Sequence, residues 1–108
     1  MISIFGFGKS SAQSQKKFSD PLNTAVFTTK FVLNEKKEIT YVSHEEEDGA
    51  WQFFSDDEFE SFKDVAKIIS LEQILKIDNT LYDLADLPLG YFATRESINS
   101  KWKIEKQK

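Results

Sequence analysis

The sequence predicts an α+β fold, a small antiparallel sheet with one or two helices packed on one face. Several short runs rich in β-branched and aromatic residues are separated by polar turn segments. One of those turns contains Asp48-Gly49, a hairpin signal. Ser70 then opens the stretch SLEQILKID, which has the pattern of a capped amphipathic helix. The chain of 108 residues is 40% hydrophobic and 14% aromatic, enough for a single small core.

Residues 1–20 read as an N-terminal arm or linker and residues 21–108 as one domain. The arm holds an apolar cluster (Ile2, Ile4, Phe5, Phe7) followed by SSAQSQKKFSD, which follows neither a strand nor a helix period. From Pro21, TAVFTTKFVL has the composition of a strand and is closed by the polar run Asn34 to Glu38. Ile39 to His44 alternates as a second strand and Trp51 to Phe54 forms a third. Gly49 supplies the positive φ that a tight turn between them needs, so Gly49→Val should disturb the hairpin. Phe59 and Phe62, three residues apart, predict one or two turns of helix in SDDEFESFKDVAK, with Asp56 to Glu58 as its acidic first turn.

The next helix is the clearest. Ser70 with Gln73 has the spacing of a capping box, and Leu71, Ile74, Leu75 and Asp78 run along one side. A further helical turn is expected over Asn79 to Leu84, broken by Asp86-Leu87-Pro88-Leu89-Gly90, where Pro88 biases its predecessor away from helix. Tyr91 to Arg95 reads as a strand, and Lys101 to Ile104 as an extended ending or a last strand turn.

Charge and composition exclude several functions. A net charge of −4 disfavours a non-specific phosphate-binding surface, so nucleic acid is not the expected ligand. The absence of cysteine removes disulfides, thiolate metal sites and cysteine nucleophiles, and fits a cytoplasmic protein. No signal peptide and no stretch long enough to span a bilayer is present, so a membrane partner is not expected. Gly6-Phe7-Gly8-Lys9-Ser10 approaches a phosphate loop, but Ser3 stands where its first glycine belongs. No cofactor is expected. His44 beside Glu45 to Asp48 could be imagined as a metal site, yet strand alternation would turn half the cluster to the other face, and a solvated acidic turn explains the same residues. Paired catalytic carboxylates need a cleft, and no serine stands in a nucleophile elbow, so the reading is a non-enzyme.

What stands out is charge placement. From Glu45 to Glu60 there are eight acidic side chains and no basic one, around the apolar Trp51, Phe53 and Phe54. Glu45, Glu46, Glu47, Asp48, Trp51, Asp56, Asp57 and Glu58 are therefore the candidate partner-binding residues, facing a basic protein. Trp51 and Trp102 are the aromatic residues singled out as candidates for exposure at such a site. A second reading places a small-ligand or regulatory pocket near Leu87 to Gly90 and Arg95, whose forked donors suit a carboxylate or phosphate. A structural ion pair of Arg95 with Asp83 or Asp86 is the alternative to that role.

The stretch DGAWQFFSDDE, followed by the Ser70-Leu71 helix, Pro88, Gly90 and Arg95, resembles a family of small bacterial domains classed as immunity proteins of toxin systems. The matching positions are Asp48, Gly49, Trp51, Phe53, Ser55, Asp57, Glu58, Leu71, Pro88, Gly90 and Arg95. The resemblance covers about the last 80 residues and implies a protein that binds and neutralises a toxin, with no catalytic residues to carry over.

Overall fold

The computed structural model describes residues 16–108. The apolar cluster at Ile2 to Phe7 and the Gly6 to Ser10 segment lie outside the described residues.

Strand β1 (Ala25–Thr29) leads directly into helix α1 (Lys30–Glu35), followed by β2 (Tyr41–His44) and β3 (Trp51–Phe54). After a loop come the one-turn helix α2 (Phe62–Val65), β4 (Ala66–Ser70), α3 (Leu71–Ile77), a 3-10 helix (Asn79–Leu84), β5 (Tyr91–Thr94) and β6 (Lys103–Lys106). Among the described residues the six strands form one sheet in the order β4-β1-β3-β2-β5-β6. All neighbours are antiparallel except β1 and β3, which run parallel with Phe27 opposite Gln52. The fold is α+β as expected, with a mixed rather than purely antiparallel sheet.

The parallel pair follows from a helix that sequence reading missed. TAVFTTKFVL is not one strand: it turns helical at Lys30, and Val32 goes into the core. Lys36 then ends α1 in a left-handed conformation, its amide returning to Phe31 O. The chain so reversed lays β2 and β3 down as a hairpin, with β3 against β1. A second missed element is β4, where the Ile68-Ile69 run pairs antiparallel with β1 over five residues. Its last residue, Ser70, is also the N-cap of α3, its hydroxyl accepting from the Gln73 amide at 3.1 Å. Capping was thus legible, and so was the helical turn at Asn79 to Leu84. The final strand begins two residues later than Lys101.

Strand alternation divides the sheet into two unlike faces. Val26, Thr28, Val42, Trp51, Phe53 and Ala93 point to one face and are buried. Leu71, Ile74 and Leu75 of α3, with Leu81 and Leu84 of the 3-10 helix, close that face into the single core. Phe27, Tyr41, Gln52, Phe54, Ile68 and Phe92 alternate to the opposite face, and none of them is fully buried. Phe18, from the segment read as an arm, packs edge-on against Trp51 at 5.0 Å and lies 6.2 Å from Tyr82.

Candidate functional site

The two acidic runs take up opposite ends of β3. Glu45 and Ala50 close the β2–β3 loop with Glu45 N donating to Ala50 O at 2.8 Å, leaving Glu46 to Gly49 at the tip. Gly49 has φ 73°, and the Asp48 carboxylate accepts from the Ala50 amide at 3.0 Å, so Asp48 helps to build the turn. At the far end of β3, Asp56, Asp57 and Glu58 occupy the loop before α2. They do not form the first turn of a helix as expected, because α2 starts only at Phe62, with Ser61 as N-cap. From Ala50 to Ser55 is five residue steps of about 3.3 Å, so roughly 17 Å of strand separates the clusters.

Trp51 is a core residue, only 1% exposed, and this corrects the expectation that its ring is exposed at a partner site. His44 stacks on it at 3.9 Å between ring centroids, and its indole N–H donates to Asp20 Oδ1 at 3.3 Å. The indole is large enough that one sandwiched wall of a hairpin buries it more favourably than water contact would. His44 Nδ1 in turn lies 2.8 Å from Leu87 O. The histidine is therefore a packing bracket, and no group of three or more metal-capable side chains converges among the described residues.

The acidic loop meets the Pro88–Gly90 segment directly. Gly90 N donates to His44 O, and Gln107 N to Gly90 O, both at 2.7 Å. Gln107 Nε2 donates to Glu45 Oε2 at 3.0 Å. Glu46 lies over Gly90 so closely that an added Cβ would stand 3.1 Å from its Oε1. Glu45 is thus tied to the domain and Glu46 lies against Gly90, while Glu46 and Glu47 are both exposed.

Arg95 sits at the other end of β5 from Gly90, and its side chain is only 1% exposed. Its guanidinium donates to Asp78 Oδ2 at 2.6 Å, to Thr80 Oγ1 at 2.9 Å, to Ile98 O at 3.4 Å and to Ile39 O at 3.0 Å. Its plane lies 4.1 Å from the Trp102 ring centroid. The expected partners, Asp83 and Asp86, are instead on the surface, where Asp86 pairs with Lys16. The proposed pocket of Leu87 to Gly90 with Arg95 does not form, because β5 holds its two parts apart.

Sequence reasoning missed the open sheet face. Tyr41 lies between Phe54 and Phe92, stacked with each at 5.8 Å. Phe59 and Phe62 extend the array, Phe62 reaching 5.3 Å from Phe54 and 6.0 Å from Phe27. A hollow of about 440 Å³ is lined by the rings of Tyr41, Phe54 and Phe59, with Asp56, Asp57 and Arg95 among its other walls. Period-two alternation in β2 and β3 could have shown that Tyr41 and Phe54 share a face away from Trp51.

Residues 26–105 match the family model described as the Immunity protein Imm33 domain. The chain belongs to the Imm33 immunity protein family. No curated protein and no solved structure gives a significant match. The matched span opens inside β1 and ends in β6, so it takes in all six strands but for one residue at each end, the core helices, both acidic runs and the aromatic face. Membership in Imm33 gives this domain an immunity role and a protein partner, a toxin. Among the described residues no helix is long and apolar enough to cross a membrane.

Proposed function

We propose that this Imm33 domain neutralises a basic bacterial toxin by direct, stoichiometric binding in the cytoplasm, without catalysing a reaction. The observation that carries the reading is the family match across the sheet. Glu45, Glu46, Glu47, Asp48, Asp56, Asp57 and Glu58 supply the negative field that raises the encounter rate with a basic partner and disfavours wrong ones. Trp51 acts from inside, holding the hairpin that presents the first four of these. A cysteine-free chain suits the reducing compartment in which such a toxin would act on its producer.

The test is co-expression in a bacterial host with candidate toxin genes from the same genome, one at a time. Growth should be arrested by the toxin alone and restored by the wild-type protein, and purified protein should titrate toxin activity to zero near one equivalent. Continued arrest by every candidate despite soluble protein would sink the immunity reading. Neutralisation by a few hundredths of an equivalent would instead mean turnover, and so an enzyme.

A further inference from the structure

We propose that the open aromatic face is the docking surface, and that the hollow between Tyr41, Phe54 and Phe59 takes a cationic side chain of the partner protein. This rests on the immunity reading and names the part of the molecule that serves it. The core-facing side of the sheet is occupied by α3 and the 3-10 helix. The opposite side carries six aromatic rings in a continuous chain of contacts, from Phe92 through Tyr41 and Phe54 to Phe59, Phe62 and Phe27.

Phe59 is 38% exposed, and Ile68, beside Phe27 on β4, is 63% exposed. Such a patch leaves apolar area in water with no return in folding, and aromatic surfaces of this kind are where binding energy concentrates.

The chemistry of the occupant follows from the walls. Ring faces at Tyr41, Phe54 and Phe59 accept either an apolar group or a cation, whereas Asp56 beside them favours only the cation. Arg95 also lines the hollow, but its side chain is 1% exposed and its charge is paired with Asp78 inside the domain. Asp57 is already engaged by the Ser55 hydroxyl and by Lys37 Nζ at 3.4 Å, so Asp56 is the carboxylate turned to the partner. Around the same loop Glu58, Glu60 and Asp64 are exposed, which extends the negative rim. Arginine fits better than lysine because its flat, weakly hydrated guanidinium stacks on rings and keeps a donor edge for the carboxylate. Of the two acidic clusters, the one at Asp56 therefore borders the interface and the one at Glu47 lies at the remote end.

The experiment measures affinity of the purified protein for the toxin that the co-expression test identifies, comparing Phe59→Ser, Asp56→Lys and Glu47→Lys with wild type. Each variant's fold is checked by circular dichroism melting. Phe59→Ser and Asp56→Lys should weaken binding about tenfold or more, and Glu47→Lys about threefold or less, with melting curves unchanged. Equal binding by all three, or a loss confined to Glu47→Lys, overturns this surface while the immunity reading stands. No binding by the wild type, together with no growth protection, overturns both. Sedimentation of the protein by itself is the second measurement: a dimer that Phe59→Ser dissolves would mean that another copy of the chain covers the face, and would overturn the proposal.

Discussion

Arg95 and Asp78 form a nearly dry ion pair, 2.6 Å apart with side chains only 1% and 4% exposed. The pair joins the end of β5 to the junction between α3 and the 3-10 helix, where Asp78 ends one helix and caps the next by accepting from Thr80 N. Through Ile39 O and the Trp102 ring, the same guanidinium also holds the approach to β2 and the segment before β6. One side chain thus ties the core layer to the sheet.

Removing one partner of such a pair leaves a charge buried without compensation. Arg95→Met should therefore destabilise the domain by about 3–5 kcal/mol in urea unfolding, against about 1 kcal/mol or less for breaking the exposed Glu72–Lys76 pair. Adding Asp78→Asn to Arg95→Met keeps a cap for Thr80 and removes the stranded charge, so the double variant should lose less than the two single losses summed. Strict additivity would show that the pair is not coupled.

Gly49 and Gly90 both have positive φ, 73° and 83°, but differ in surroundings. An added Cβ meets nothing within 4 Å at Gly49, and the flexible end of Glu46 at Gly90. Alanine at either position should cost about 1–2 kcal/mol from the left-handed backbone alone. Only Gly90→Ala should also shift the Glu46 resonances in a side-chain NMR spectrum. Equal disturbance of Glu46 by both variants would mean that the loop responds to turn strain rather than to contact.

How much of this was legible depended on the range of the interactions. The Ser70 cap, the Gly49 turn and the Pro88–Gly90 break are local, set by residues within a few positions of one another, and they read correctly. Helix α1 did not, because Lys30-Phe31-Val32-Leu33 has strand-like composition and becomes helical by burying Val32 in the core. Asp78 looked like a stray member of an apolar stripe, since its partner lies 17 residues on. The acidic residues were found as a run, but a run says nothing about which end of a strand each part occupies. Trp51 illustrates the same limit, because its burial depends on Phe18, Asp20 and His44, brought together only by the tertiary fold.

Lys36 is the one non-glycine residue with positive φ among those described, at 62° in the C-cap of α1. A left-handed cap is the usual place for glycine, and a side chain there costs about 1 kcal/mol. Lys36→Gly should accordingly raise stability, by a few tenths to about 1 kcal/mol once the greater freedom of glycine in the unfolded chain is subtracted. A lowered urea midpoint would show that the lysine side chain makes a compensating contact.

Asp57 gives the acid response of the loop beside the aromatic face. The Ser55 hydroxyl donates to its Oδ1 at 2.7 Å, and Lys37 Nζ lies 3.4 Å from Oδ2. The hydroxyl is the larger influence holding the carboxyl below its ordinary value of 3.8, with Lys37 adding to it against an opposing effect of burial. A carboxyl with a depressed pKa in the folded state binds fewer protons there than when unfolded. Its contribution to stability is then fully present above the unfolded value and is lost as pH falls through the folded one, so neutral pH leaves it intact and acid removes it. In an NMR titration the Asp57 carboxyl should show a midpoint below 3.8, moving up in Ser55→Ala and by less in Lys37→Ala. An unchanged midpoint in Ser55→Ala would rule out the hydroxyl as the cause. Because Asp57 is held this way, Asp57→Asn should remove its part of the loop's acid response.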